Sequence, residues 1–69
     1  MNNVVQMERW LTDAQLVEHF NGAFKERWLR YRRAEGMPYA RIAGKPRYKL
    51  SEVEPWLELH GYIDRGDVA

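Results

Sequence analysis

One stretch of the 69-residue chain restricts its folding more than any other: Phe24 to Pro38, reading FKERWLRYRRAEGMP. Successive residues of a helix turn about 100° around its axis. On that wheel Phe24, Trp28 and Tyr31 share one stripe, predicted to face a core, while Glu26, Arg30 and Arg33 fall on the opposite side. Arg27 lies on one flank, and Lys25 and Arg32 on the other. Gly36 permits the left-handed turn that ends a helix, and Pro38 cannot continue one. A helix anchored by aromatics and holding arginines in solvent is suited to lie against an anion.

Charge is segregated in the same direction. From Lys25 to Lys49 nine basic residues stand against two acidic ones, a net +7, whereas the remainder carries a net −6. The total of +1 conceals this division, which is the sequence footprint of a nucleic-acid face. With 45% hydrophobic residues and three tryptophans the chain is predicted to fold, and its length suits one small domain. It has no cysteine, so neither a disulfide nor a thiolate zinc ligand is available. No apolar run approaches the roughly 20 residues that span a bilayer, and MNNVVQMERW has no basic region followed by an apolar run. A cytoplasmic domain without membrane contact is expected.

Residues 1–8 show no period and are expected to form a flexible arm, with the domain spanning 9–63 and a polar tail at 64–69. Thr12-Asp13-Ala14-Gln15 matches a capping box, and Leu11 and Leu16 are placed for a hydrophobic staple across it. A first helix is predicted from Asp13 to Phe20, ended by Asn21-Gly22. Two helices joined by a tight Gly turn predict a helix-turn-helix.

After Pro38 the pattern alternates. Ala40 and Ile42 share a face, as do Tyr48 and Leu50, around a turn at Ala43-Gly44-Lys45-Pro46. This predicts a β-hairpin with one basic face, its Ile42, Tyr48 and Leu50 packed on the helices. Ser51-Glu52-Val53-Glu54 reads as a second capping box, with Pro55 in the first turn of a last helix. Val53, Trp56, Leu57 and His60 form its core stripe, Gly61 ends it, and Tyr62 and Ile63 fold back.

This order resembles the excisionase-like winged helix-turn-helix domains, related to the DNA-binding heads of MerR-type regulators. The matching residues are Trp10-Leu11-Thr12, Gly22, Met37-Pro38, the stretch Arg41 to Tyr48, and Val53 with Trp56-Leu57. Together they cover roughly Trp10 to Leu59. The resemblance implies an α+β, mostly helical fold whose second helix enters the major groove of double-stranded DNA and whose hairpin wing follows phosphates or the minor groove. It makes Lys25, Glu26, Arg27 and Arg30 the major-groove candidates, and Arg41, Lys45 and Arg47 the wing contacts. Arg32, Arg33 and Lys49 are expected at the DNA backbone. Three departures stand out: Phe24 in place of a small polar residue, the acid Glu26 on the reading face, and Pro55. Glu26 can accept a hydrogen bond from cytosine N4 or orient Arg30 one turn on, the second being preferred.

The implied role is an excisionase, or recombination directionality factor, which bends DNA near attachment sites and favours an integrase in excising a phage or mobile element. The integrase and further copies along the DNA are then the expected partners. Two rivals are a small transcriptional regulator of such an element and a protein-interaction adaptor using the acidic last helix. Catalysis, metals and cofactors are not expected. His19 and His60 lie on different helices, as an exposed and a half-buried residue, and Glu52, Glu54 and Glu58 read as a solvated face. No Gly-rich phosphate loop or nucleophile elbow is present.

Overall fold

A computed structural model of the protein describes residues 8–66, three helices and one antiparallel hairpin in a small α+β arrangement. Residues 1–7 of the expected arm and 67–69 of the expected tail lie outside the described residues. Helix α1 runs Asp13–His19 and α2 Glu26–Glu35; strands β1, Ala40–Ile42, and β2, Lys45–Arg47, follow; α3 runs Leu50–Leu59.

Local chemistry accounts for the limits of the first two helices. The Thr12 hydroxyl accepts from the Gln15 amide at 3.1 Å, and the Gln15 side chain accepts from the Thr12 amide at 2.9 Å. Two donors that a helix start leaves free are thereby satisfied. Asn21 and Gly22 turn the chain into α2 with φ of 56° and 78°. Gly36 ends α2 in the left-handed region at φ 114°, which lets the Met37 amide donate to Arg32 O at 3.0 Å.

Seven side chains form the core: Leu11, Leu16, Leu29, Met37, Tyr48, Val53 and Leu57. They come from every helix and from both segments flanking the hairpin. Leu11 and Tyr48 also pair as backbone, with amide-to-carbonyl distances of 2.7 and 2.9 Å, so the segment before α1 lies strand-like beside the hairpin base. Half-buried aromatics cover this core, including Phe24 stacked on Trp28 at 4.2 Å and Tyr62 edge-on to Trp28.

Helix α2 sits rotated from the predicted orientation. Its buried residue is Leu29, and Tyr31 is 54% exposed rather than in the core. Arg32 and Arg33 occupy the half-buried flank instead. Their hydrocarbon stems cover apolar surface, and their charged heads find partners there. The hairpin turn is also tighter than expected: Ala43 and Gly44 alone form it, at φ 54° and 80°, and Lys45 and Pro46 belong to β2. Such a two-residue turn with positive φ at both positions matches the twist of paired strands. Only the hairpin base is tied to the core, so Ile42 is exposed instead of packed.

Helix α3 begins one residue before the predicted capping box, with Lys49 at its N-cap and no cap from that side chain. Glu8 takes over the task from across the fold. Its carboxylate accepts from the Ser51 amide at 2.8 Å and the Ser51 hydroxyl at 2.5 Å, placing a negative charge at the positive end of the helix. Glu8 thus belongs to the domain and not to the arm. The earlier start puts Pro55 in the second turn of α3, where its missing N–H leaves no bond to the Ser51 carbonyl. Val53 and Leu57 are buried and Trp56 half-buried, but His60 is exposed, stacked on Trp56 at 4.0 Å. Tyr62 and Ile63 fold back as predicted, both amides reaching the Leu57 carbonyl.

The Ser51 hydrogen bonds, the side-chain one foremost, hold the Glu8 carboxyl below the ordinary glutamate value, with the Lys49 charge adding to the effect. A lowered value means that the ionised carboxylate stabilises the folded state above the unfolded pKa and ceases to do so as pH falls through the folded one. Glu8→Gln is therefore expected to lower the melting temperature at pH 7, with the gap to the parent protein closing below about pH 4. Thermal melts of both proteins between pH 7 and pH 3 measure this; a gap independent of pH would mean that Glu8 does not act as an ionised cap.

Candidate nucleic-acid interface

The exposed residues of α2 are Glu26, Arg27, Arg30, Tyr31, Ala34 and Glu35. They form one continuous stripe along the helix, opposite Leu29. Beside the stripe runs an open groove of about 380 Å³, lined by Asp13, Glu26, Arg27, Arg30 and Arg33. The start of α1 forms one wall and α2 the other.

The cations divide into two sets. Among the described residues, Arg27 and Arg30 have neither an ion-pair nor a hydrogen-bond partner, and the same holds for Arg41 and Lys45 on the hairpin. All four are exposed. A guanidinium in that condition keeps its full fork of donors for an anion or a guanine edge. Lys25 is exposed as well; it is the N-cap of α2, with its ammonium over the Gly22 turn.

The other set, which includes Arg32, Arg33 and Lys49 expected at a phosphate backbone, is engaged inside the protein. Arg32 lies in the corner made by the edge-on Trp28 and Tyr62 rings, 4.7 Å from each centroid, and pairs with Glu35 at 3.1 Å. Its Nε is buried without a hydrogen-bond partner, beside aromatic surface that attracts the cation. Lys49 holds its ammonium 4.5 Å above the Trp10 ring. Arg47, expected on the wing, is half-buried and donates to the Pro46 carbonyl at 2.8 Å.

Arg33 takes part in a three-way junction. It donates to the Tyr48 hydroxyl and, at 3.3 Å, to the Asp13 carboxylate, which also accepts from Tyr48 at 2.6 Å. Burial, and then the bond to Asp13, push the Tyr48 phenol above the ordinary tyrosine value, so it stays protonated as a donor. The junction joins the first residue of α1, the last turn of α2 and the residue after β2. It fixes the hairpin base relative to the helix that carries Arg27 and Arg30. Tyr39 reinforces the same seam, its ring 5.5 Å from the Arg33 guanidinium and 5.7 Å from that of Arg41.

The structure therefore brings Glu26, Arg27 and Arg30 together, with Arg41 and Lys45 on the neighbouring hairpin. The preferred reading of Glu26 is not met, because Glu26 makes no ion pair with Arg30. Asp13 and Tyr48 escape the sequence reading because their partners lie 20 and 35 residues away along the chain. The one available signal is an acid at the first position of a capped helix, and the helix dipole already explains that.

Among the described residues no group of three or more His, Cys, Asp or Glu is placed to hold a metal ion, and no helix is long and apolar enough to cross a membrane. His19 meets Glu54 at 3.1 Å, joining α1 to α3. No family model matches the chain, and neither a curated protein nor a solved structure shows significant similarity to it.

Proposed function

We propose that this protein is a winged helix-turn-helix domain that binds double-stranded DNA sequence-specifically, with α2 in the major groove and the β1–β2 hairpin as the wing. The observation that carries this reading is the sorting of cations. Arg32, Arg33, Arg47 and Lys49 are engaged by internal partners, whereas Arg27, Arg30 and Lys45 stand exposed without a partner among the described residues, and Arg41 is exposed with only the Tyr39 ring, 5.7 Å away, beside it. In this reading Arg27 and Arg30 contact base edges, and Arg41 and Lys45 neutralise phosphates. Glu26, free of Arg30, is available to accept from cytosine N4. No catalytic step is required.

Within this class the role we favour is the excisionase one, in a bacterial cell: binding near attachment sites, bending the duplex and assisting an integrase. The support is the resemblance in element order together with a hairpin whose base is locked and whose cationic tip is free, a geometry suited to holding bent DNA.

Selection of bound duplexes from a random DNA pool, at low and physiological salt, tests both levels. An enriched motif that recurs head to tail supports the excisionase role. A single or inverted motif keeps DNA binding and favours a transcriptional regulator. No enrichment at either salt, with the protein shown to be folded, overturns DNA binding and moves the adaptor reading ahead.

A further inference from the structure

We infer that Tyr31 is a specificity-determining residue on the α2 face, its ring receiving the C5-methyl group of a thymine; this rests on the DNA-binding reading above. Each of the nine aromatic residues lies among the described residues, and eight of them have an aromatic or cationic partner. Tyr31 is the exception. It is 54% exposed, with no ring against it and no cation above it.

A lone exposed aromatic is ordinary on a protein surface. The position of Tyr31 is what distinguishes it. It lies one helical turn beyond Arg27 and directly follows Arg30, on the stripe that holds the two unpaired guanidinia of α2. Ala34, the next exposed residue along, is too short to screen the ring from an approaching groove. One helical turn advances about 5.4 Å, between one and two base steps of about 3.4 Å. Tyr31 is thereby set over a base neighbouring the one that Arg27 meets. An apolar ring has one matching feature in the major groove, the thymine methyl.

The test needs the duplex selected by the wild-type protein, with its thymines replaced singly by deoxyuridine, which removes only the methyl group. Wild-type protein is expected to lose about fourfold in affinity at one thymine, the transfer value of one buried methyl. Tyr31→Phe keeps that loss, because the ring and not the hydroxyl makes the contact. Tyr31→Ala binds the thymine and deoxyuridine duplexes equally, with its salt dependence unchanged. An enriched motif with no deoxyuridine effect overturns the role of Tyr31 and leaves DNA binding standing. So does discrimination that persists in Tyr31→Ala, or a loss in Tyr31→Phe across all sequences, which would indicate a phosphate bond from the phenol. Absence of any enriched motif with wild-type protein overturns DNA binding and this assignment together.

Discussion

Replacing Arg27 and Arg30 together by alanine is expected to abolish specific duplex binding while leaving the fold intact. A guanidinium bidentate to a base edge contributes about 1–3 kcal/mol of discrimination. Removing two such guanidinia at once corresponds to roughly 30-fold to 20,000-fold in affinity for the selected site. The fold is expected to survive because both residues are exposed and, among the described residues, unpaired. The check is titration of the selected duplex beside a circular dichroism melt; unchanged affinity would sink the assignment. Lys45→Ala serves as the contrast. As a phosphate contact it should weaken all sequences alike and flatten the salt dependence by about one unit of slope. A sequence-selective loss there would make the wing a reader.

Leu29→Ala should have the largest effect on stability. Leu29 is fully buried among Leu16, Met37, Tyr48, Val53 and Leu57. Truncating a leucine in such a site costs about 2–5 kcal/mol, according to how far the neighbours close the cavity. Folded domains retain only about 5–15 kcal/mol in total, and a domain this small lies toward the low end. Leu29→Ala is thus expected to leave a large unfolded fraction at 37 °C. Tyr31→Ala, two residues on but facing solvent, should shift stability by no more than about 0.5 kcal/mol. Urea denaturation of the pair reads the rotation of α2 directly. Reversed magnitudes would put Tyr31 in the core beside Phe24 and Trp28.

That rotation marks where the sequence stops being informative. Features closed within a few residues were legible: the Thr12–Gln15 box, the Asn21-Gly22 turn, the stop at Gly36 and the fold-back of Tyr62 and Ile63 each depend on neighbours along the chain. The face of α2 depends on partners elsewhere. Phe24 and Trp28 pack against the core as expected, but Tyr31, which a helical wheel places beside them, does not. What decides the face is that Arg32 finds Tyr62 and Glu35, and Arg33 finds Asp13 and Tyr48. Ser51 and Glu54 fail as a cap for the same reason, since Glu8 arrives from the other end of the chain. Arg27 and Arg30 were legible as exposed residues because helical spacing alone sets them apart from Leu29. Tyr31 was hidden by its own hydrophobicity, which pointed it inward.

The pairing of Leu11 with Tyr48 joins the segment before α1 to the one after β2, with α1, α2 and the hairpin enclosed between them. Ring closure of this size is entropically unfavourable until distant contacts compensate. The enclosed helices, seven and ten residues long, are too short to persist by themselves. Assembly is therefore expected to be cooperative, with the closing strand pair, the junction at Tyr48 and the seating of Leu29 forming together. The exposed face of α2 and the hairpin beside it are then gained and lost together.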